Sequence, residues 1–201
     1  MVNNLEVIKE HLIFPNERSF YFIQIIKRKK ENPEMTGYSL PVESFYIFSV
    51  EQLERVMPHI IEKCEQNRAR AYIKMNTLDM QSVALETISV LTQEIRKENW
   101  KHISKALNSA CGICGKQNGT EKLYLIDIDT KDIDYINEVK NCINLLEPLD
   151  KPEKVKMIVP TRNGIHFLST GFNMQKFRQQ YHNIDIHDDG ITLLYFPKCC
   201  E

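Results

Sequence analysis

Lys122-Leu-Tyr-Leu-Ile-Asp-Ile-Asp129 and, further on, Val155-Lys-Met-Ile-Val-Pro-Thr-Arg-Asn-Gly-Ile-His166 are the stretches that decide how this chain is read. The first is an apolar run ending in two carboxylates one residue apart. The second is an apolar run that passes through a Gly-containing turn to a histidine. Side chains two apart on a strand share a face, so Asp127 and Asp129 point the same way. Strands that deliver Asp127, Asp129 and His166 to one sheet face make a compact site for a metal ion and a phosphate.

Working outward from these runs, the pattern gives strand 122–128, helix 132–147, strand 154–160, strand 164–169, helix 173–181 and strand 191–196. That is β-α-β-β-α-β, the ferredoxin-like or RRM-like order. Asp129-Thr-Lys-Asp132 caps the first helix, and Pro148 and Pro152 end it. Thr161-Arg-Asn-Gly164 is a hairpin turn of the Asn-Gly kind. Upstream, a short helix from Leu5 to His11 precedes strand 19–26, strand 45–50 and a helix from Val50 to Gln66. That helix carries Leu53, Val56, Met57, Ile60 and Ile61 at helical spacing, with Ser49 as its N-cap. Strand 68–75 follows. A long amphipathic helix then runs from Thr77 to Arg96, with Met80, Val83, Ala84, Ile88, Leu91 and Ile95 as its stripe. The expected fold is α+β: an N-terminal αβ module (residues 1–108) packed on a C-terminal RRM-like core (residues 109–201), the two forming one compact unit. Asn108 to Gly119 reads as a loop-rich joint.

Composition narrows the function classes. Of 201 residues, 42% are hydrophobic and 26% charged, as in a soluble globular protein. Lys and Arg number 26 against 27 Asp and Glu, a net charge of −1. A protein that grips nucleic acid by charge alone is more basic than this, so such a role has to rest on a local patch or a bound metal. No apolar stretch reaches the length of a membrane span, and the N-terminus has no basic segment followed by an apolar one. The expected setting is the cytoplasm, with no membrane partner and with the six cysteines reduced.

Several residues could carry chemistry, each with a plainer alternative. Asp127 and Asp129 repel one another unless a cation sits between them, and Mg²⁺ or Mn²⁺ suits such a pair; otherwise one caps the helix and the other meets water. His166 can reach a nucleotide phosphate and Arg162 offers a planar fork of donors for it; otherwise they are a core histidine and a turn arginine. Asp185 stands between two isoleucines and is read as a carboxylate on a buried strand, costly unless paired with charge or metal. His187, Asp188 and Asp189 follow, with Asp189-Gly190 as turn chemistry. Arg68, Arg70 and Lys74 alternate along one strand face, where Arg70 and Lys74 become possible phosphate or template contacts; an exposed polar face is the alternative. The basic loop Lys27-Arg-Lys-Lys-Glu-Asn-Pro33 reads as a solvated turn, with contact to a nucleic-acid backbone as the sharper reading. Cys111 and Cys114 resemble half of a zinc knuckle, to which Cys199, Cys200 or His102 could add ligands; a Gly-rich connector with free thiols is the alternative. Cys64 and Cys142 read as packing residues.

Three of these motifs, in this order, resemble those of the archaeo-eukaryotic primase superfamily, the primase-polymerases. The apolar strand ending in Asp-x-Asp is matched by Leu125-Ile-Asp127-Ile-Asp129. The small or polar residue, Gly turn and His is matched by Thr161-Arg-Asn-Gly164-Ile-His166. The apolar residue and Asp before a Gly turn and a strand reaching Pro is matched by Ile184-Asp185 through Gly190 to Pro197. The resemblance implies an RRM-like catalytic core joined to an N-terminal αβ module. It also implies that Asp127, Asp129 and Asp185 bind divalent metals and that His166 contacts the incoming nucleotide. A zinc element near the Cys111 position is part of the same expectation.

Two functions follow. The first is a metal-dependent nucleotidyltransferase that adds nucleotides from an NTP or dNTP to a 3′-hydroxyl on a single-stranded DNA or RNA template, in the company of replication proteins. The second is a non-catalytic RRM-like nucleic-acid-binding or partner protein, a degenerate form of the same fold serving a replication or mobile-element system. For the second, Tyr124 and Phe167 are the candidates for stacking on bases.

Overall fold

Residues 1–198 are described by the computed structural model; Cys199 and Cys200, candidate zinc ligands by sequence, lie outside them. The architecture is α+β, with two antiparallel sheets and, among the described residues, seven helices. The elements in chain order are β1 (Val2–Asn3), α1 (Leu5–Lys9), β2 (Ser19–Arg28), β3 (Ser39–Ile47), α2 (Val50–Asn67), β4 (Ala69–Asp79), α3 (Met80–Arg96), α4 (Trp100–Ile103) and α5 (Ala106–Ile113). They continue as β5 (Tyr124–Ile128), α6 (Ile133–Leu145), β6 (Val155–Pro160), β7 (Ile165–Ser169), α7 (Met174–Gln180), β8 (Asp185–His187) and β9 (Ile191–Phe196). Among the described residues no helix is long and apolar enough to cross a membrane.

The small sheet has the order β6-β7-β5-β8, and the large sheet the order β1-β9-β4-β2-β3. This corrects one expectation. The strand over 191–196 does not close the C-terminal sheet. Asp185–His187 is that sheet's fourth strand, and β9 crosses to the large sheet, where it pairs with β4 and β1. The boundary at residue 108 is therefore bridged by the end of the chain. Asn4, 2% exposed, ties the same junction: its Nδ2 donates to the carbonyls of Pro160 and Leu193, both at 2.8 Å.

Alternation along β5 assigns its two faces. Ile126 and Ile128, with Phe167 of β7, are buried against Val139 and Ile143 of α6 and Phe177 of α7. Burying a side chain such as Phe167 contributes about 1.5–3 kcal/mol, and it removes Phe167 from the residues able to stack on a base. On the opposite face Leu125, Leu168, Met157 and Val159 join the main core under α2 and the large sheet. Only one end of that face, from Asp127 outward, stays open. The local signals work as the sequence indicates: Ser49 Oγ accepts from Gln52 N, and Asp132 Oδ1 accepts from Asp134 N and Tyr135 N, each satisfying helix N–H groups with no partner in the helix.

Two further expectations change. The joint at 108–119 is helical through Ile113, because Ala106, Ala110 and Cys111 face a pocket formed by Phe20, Phe22, Leu78 and Val83. In α3, only Val83 of the expected stripe is fully buried, while Ile88 and Ile95 are exposed together with Leu85. The helix is apolar on two sides, and it packs through the one carrying Val83.

Candidate functional site

The site grows out of strand register. Asp127 is directly opposite His166 on β7 and Asp185 on β8, so the three lie in one row across β7-β5-β8 and project from one face. Asp129 follows two residues on, just past the strand end. The chain there is pressed against the β6–β7 turn. A Cβ on Gly164 would lie 1.9 Å from the Ile128 carbonyl oxygen and 2.7 Å from Thr130 N. The turn closes through Thr161 N donating to Gly164 O (2.9 Å) and Gly164 N donating to Thr161 Oγ1 (3.1 Å). Gly164 thus sets where Asp129 stands by allowing backbone to meet backbone.

His166 joins the two sheets. Its Nε2 is 3.4 Å from Asp127 Oδ1, and its Nδ1 shares a 2.9 Å hydrogen bond with Oγ1 of Thr192, a buried residue of β9. The ring beside Asp127 holds that carboxyl below its usual range, with His187 and Arg28 adding to the effect against the cost of burial. Asp127 is accordingly ionised at neutral pH. Sequence reasoning had no means of finding Thr192, which reaches His166 only because β9 changes sheet.

Asp127 and Asp129 form a ridge with a cleft on either side. The larger, about 700 Å³, has Arg28, Lys30, Arg70 and Arg162 in its lining, with His166, His187 and Asp189 near the ridge. Arg70 and Arg162 both lie over the ring of Phe196, their guanidinium carbons 4.8 and 5.4 Å from its centroid. Arg70 is also paired with Glu31, and the hydroxyl of Tyr72 accepts from Arg28 Nη1 at 3.2 Å and Arg70 Nη1 at 3.4 Å. Stacked and tethered guanidinium groups are pre-organised donors for an anion. Arg28, the last residue of β2, and Lys30 belong to the basic run that reads as a solvated turn; what distinguishes it is the polar pair Glu31 and Asn32 in the same run, both of which are buried.

The smaller cleft, about 420 Å³, is lined by Asp132, Tyr135, Asn183 and Asp185 with the same ridge, and by no lysine or arginine. Asp185 is exposed here, not buried as its isoleucine neighbours suggest, because β8 is a three-residue edge strand whose other face takes Ile186. The row therefore brings Asp127, Asp185 and His166 together by register. Yet among the described residues no three His, Cys, Asp or Glu side chains are drawn close enough to hold a metal ion by themselves.

Other candidates have different roles. Lys74 is buried, and it is no phosphate contact: its Nζ donates to the carbonyls of Cys111 (2.9 Å) and Cys114 (2.7 Å) at the end of α5 and pairs with Asp189 at 2.6 Å. The two helix-terminal carbonyls are satisfied by its charge, and Asp189, on the cleft wall, is fixed in place. Asn76 adds to this by donating to Asp189 Oδ1 at 2.8 Å. Arg68 is the left-handed residue that ends α2, leaving Arg70 as the basic side chain of β4 that reaches the cleft. Cys111 is a core residue whose thiol is pushed up to about 12, chiefly by burial, and Cys114 is raised for the same first reason. Both are free thiols, Cys111 buried and Cys114 half-buried at the end of α5. Tyr124 is half-buried under Lys122, whose Nζ lies 5.1 Å from the ring centroid.

No protein-family model matches this chain, and no curated protein and no solved structure matches it either.

Proposed function

We propose that the protein is a small metal-dependent nucleotidyltransferase of primase-polymerase type, with an RRM-like core built from β5 to β8. The observation that carries this is the row of His166, Asp127 and Asp185, with His166, Asp127 and the adjacent Asp129 facing four cationic side chains in the larger cleft and Asp185 on the far side of the ridge. The strand order β6-β7-β5-β8, with two helices on one face, supports the RRM-like reading.

The donor set suits a hard divalent ion. Mg²⁺ or Mn²⁺ is held by one or two carboxylates with substrate phosphates completing the shell, and Asp127 and Asp129 would supply those carboxylates, with Asp185 next to Asp127 in register. The ion is of the kind whose shell the substrate finishes. When bound, it would lower the charge barrier at the α-phosphoryl and favour loss of the proton from the attacking hydroxyl. The chain's own residues do the rest. Arg162 and Arg70 bind the triphosphate, Arg28 and Lys30 balance its outer charge, and His166, oriented by Thr192, donates to phosphate when it turns from Asp127. The bond formed is between the 3′-oxygen and the α-phosphorus; the bond broken is the one to the β-phosphate, and pyrophosphate leaves. A single-stranded DNA or RNA template pairs with the incoming base.

The test is nucleotide incorporation on a primed single strand with Mg²⁺ or Mn²⁺, together with binding of a nucleoside triphosphate. Asp127→Asn keeps the shape of the side chain and is expected to lower incorporation by about a hundredfold or more. Metal-dependent triphosphate binding that survives this substitution unchanged sinks the proposal. Single-strand binding that persists in a chelator, with no incorporation, favours the non-catalytic alternative.

A further inference from the structure

The larger cleft has two ends of different chemistry. The end at Asp127, Arg162 and His166 suits phosphate and metal. The other end lies over the outer face of the large sheet, where the half-buried Ile26 and Ile191 cover Tyr72 and Leu193, with Arg28 and Arg70 flanking Ile26 on the side toward the phosphates. That floor is apolar, and Tyr38 stands on its rim, 90% exposed. An exposed tyrosine is ordinary by itself. This one closes a loop that is built to hold it. Lys29 N donates to the Tyr38 carbonyl at 2.9 Å. The fully buried Asn32 donates through Nδ2 to Arg28 O at 3.0 Å and Arg68 O at 2.9 Å. Glu31 of the same loop forms the pair with Arg70. Burying a carboxylate and an amide to shape a surface loop is costly unless each is paired. What that shaping delivers is Lys30 and Tyr38 on the cleft wall.

We infer that Tyr38, with the Ile26–Ile191 floor, is the subsite for the nucleobase of the bound nucleoside triphosphate; this rests on the nucleotidyltransferase reading and names the end of the cleft where the base lies. A ligand with a flat aromatic ring at one end and phosphates at the other meets complementary chemistry at both. Its ring lies on apolar side chains under the tyrosine while its phosphates reach Arg162 and the carboxylate ridge. Ile26 and Ile191 meet a ring by contact alone and Tyr38 by stacking, and neither kind of contact distinguishes one base from another.

The experiment compares Mg²⁺-dependent binding of a nucleoside triphosphate and of inorganic triphosphate to the full chain and to Tyr38→Ala and Tyr38→Phe. At 90% exposure Tyr38 can be replaced without disturbing the fold. The expected result is that Tyr38→Ala weakens the nucleoside triphosphate about tenfold, as loss of one base–aromatic stack does, leaves inorganic triphosphate unchanged, and is rescued by Tyr38→Phe. The four common bases should bind within a few-fold of each other. Equal loss for both ligands, or no loss for either, overturns the subsite while leaving the phosphate site standing. A loss confined to a single-stranded oligonucleotide overturns it in favour of a template contact. Failure of the unaltered protein to bind either triphosphate overturns the nucleotidyltransferase reading and the subsite together.

Discussion

The two clefts beside Asp127 and Asp129 share those carboxylates and little else. The larger one sets Arg28, Lys30, Arg70 and Arg162 against them, and the smaller one adds Asp132 and Asp185. Of these two, Asp132 is accounted for by the cap it provides to α6. The contrast teaches that one ridge can serve two charge requirements. An anion finds donors only on the side of the large sheet, and a cation finds carboxylates from both sides. It also explains why the large sheet matters to a row of residues carried by the small one. The arginines come from β2, β4 and the β6–β7 turn, and the aromatic ring under two of them, Phe196, comes from β9.

The contrast depends first on Lys74, which neutralises Asp189 on the wall of the larger cleft. Lys74→Met leaves that carboxylate and the carbonyls of Cys111 and Cys114 without their charged partner. Breaking a buried pair costs about 3–5 kcal/mol. Asp189 retains some contact with water, so the lower end is expected in urea unfolding. Asp189→Asn added to Lys74→Met should recover part of the loss, because the stranded charge is then gone. Additivity of the two substitutions would falsify the view that the pair acts as a unit.

Next is the ridge itself. Gly164→Ala inserts a methyl group where Ile128 O and Thr130 N already lie. Gly164 is not in the left-handed region, so the cost is one of space, about 2–3 kcal/mol for overpacking against backbone. The displaced segment carries Asp129, so both clefts should suffer together. A lowered melting temperature accompanied by weaker triphosphate binding is the expected result. Full stability with Ala at this position would mean that the turn can move away from the ridge.

How far this was legible in the sequence differs from part to part. The shared face of Asp127, Asp129 and His166 could be read because strand parity and the Asn-Gly turn are local signals. The small sheet's fourth strand could not be assigned. Residues 191–196 are nearly all apolar, which fits burial on both faces and does not say which sheet receives them. The switch occurs at Gly190, where a Cβ would lie 2.9 Å from that of His187 and 3.0 Å from that of Leu125. A turn residue and a residue needed for close approach look alike in sequence. Thr192, Phe196 and the true place of Lys74 all depend on that switch. So does the correction at α3 depend on context: its apolar residues lie on two sides, and periodicity alone does not choose between Val83 and Ile88.

Smaller effects separate the clefts from one another. Arg162→Ala removes a cation from the larger cleft and uncovers one side of Phe196. Loss of a guanidinium contact to phosphate costs about 1.5–3 kcal/mol when it is made directly. With Arg28, Lys30 and Arg70 still present, triphosphate binding should weaken by about tenfold, the smallest effect that range allows. Stability should change little, since Arg162 is half-exposed in a turn.

The least effect is expected on the other side of the ridge. Asp185→Asn removes a carboxylate that is exposed and, by register, adjacent to Asp127. Taking away a like charge eases repulsion in the smaller cleft, so the unliganded protein should be as stable as before or slightly more so. Its contribution should emerge only with a divalent ion and substrate present. The concentration of Mg²⁺ giving half-maximal incorporation should rise by a few-fold, while triphosphate binding at saturating Mg²⁺ stays unchanged. An equal effect from Arg162→Ala on the Mg²⁺ requirement would remove the distinction, since an arginine across the larger cleft has no direct hold on the ion. Opposite responses, metal demand for Asp185 and triphosphate affinity for Arg162, would assign one cleft to the cation and the other to the anion.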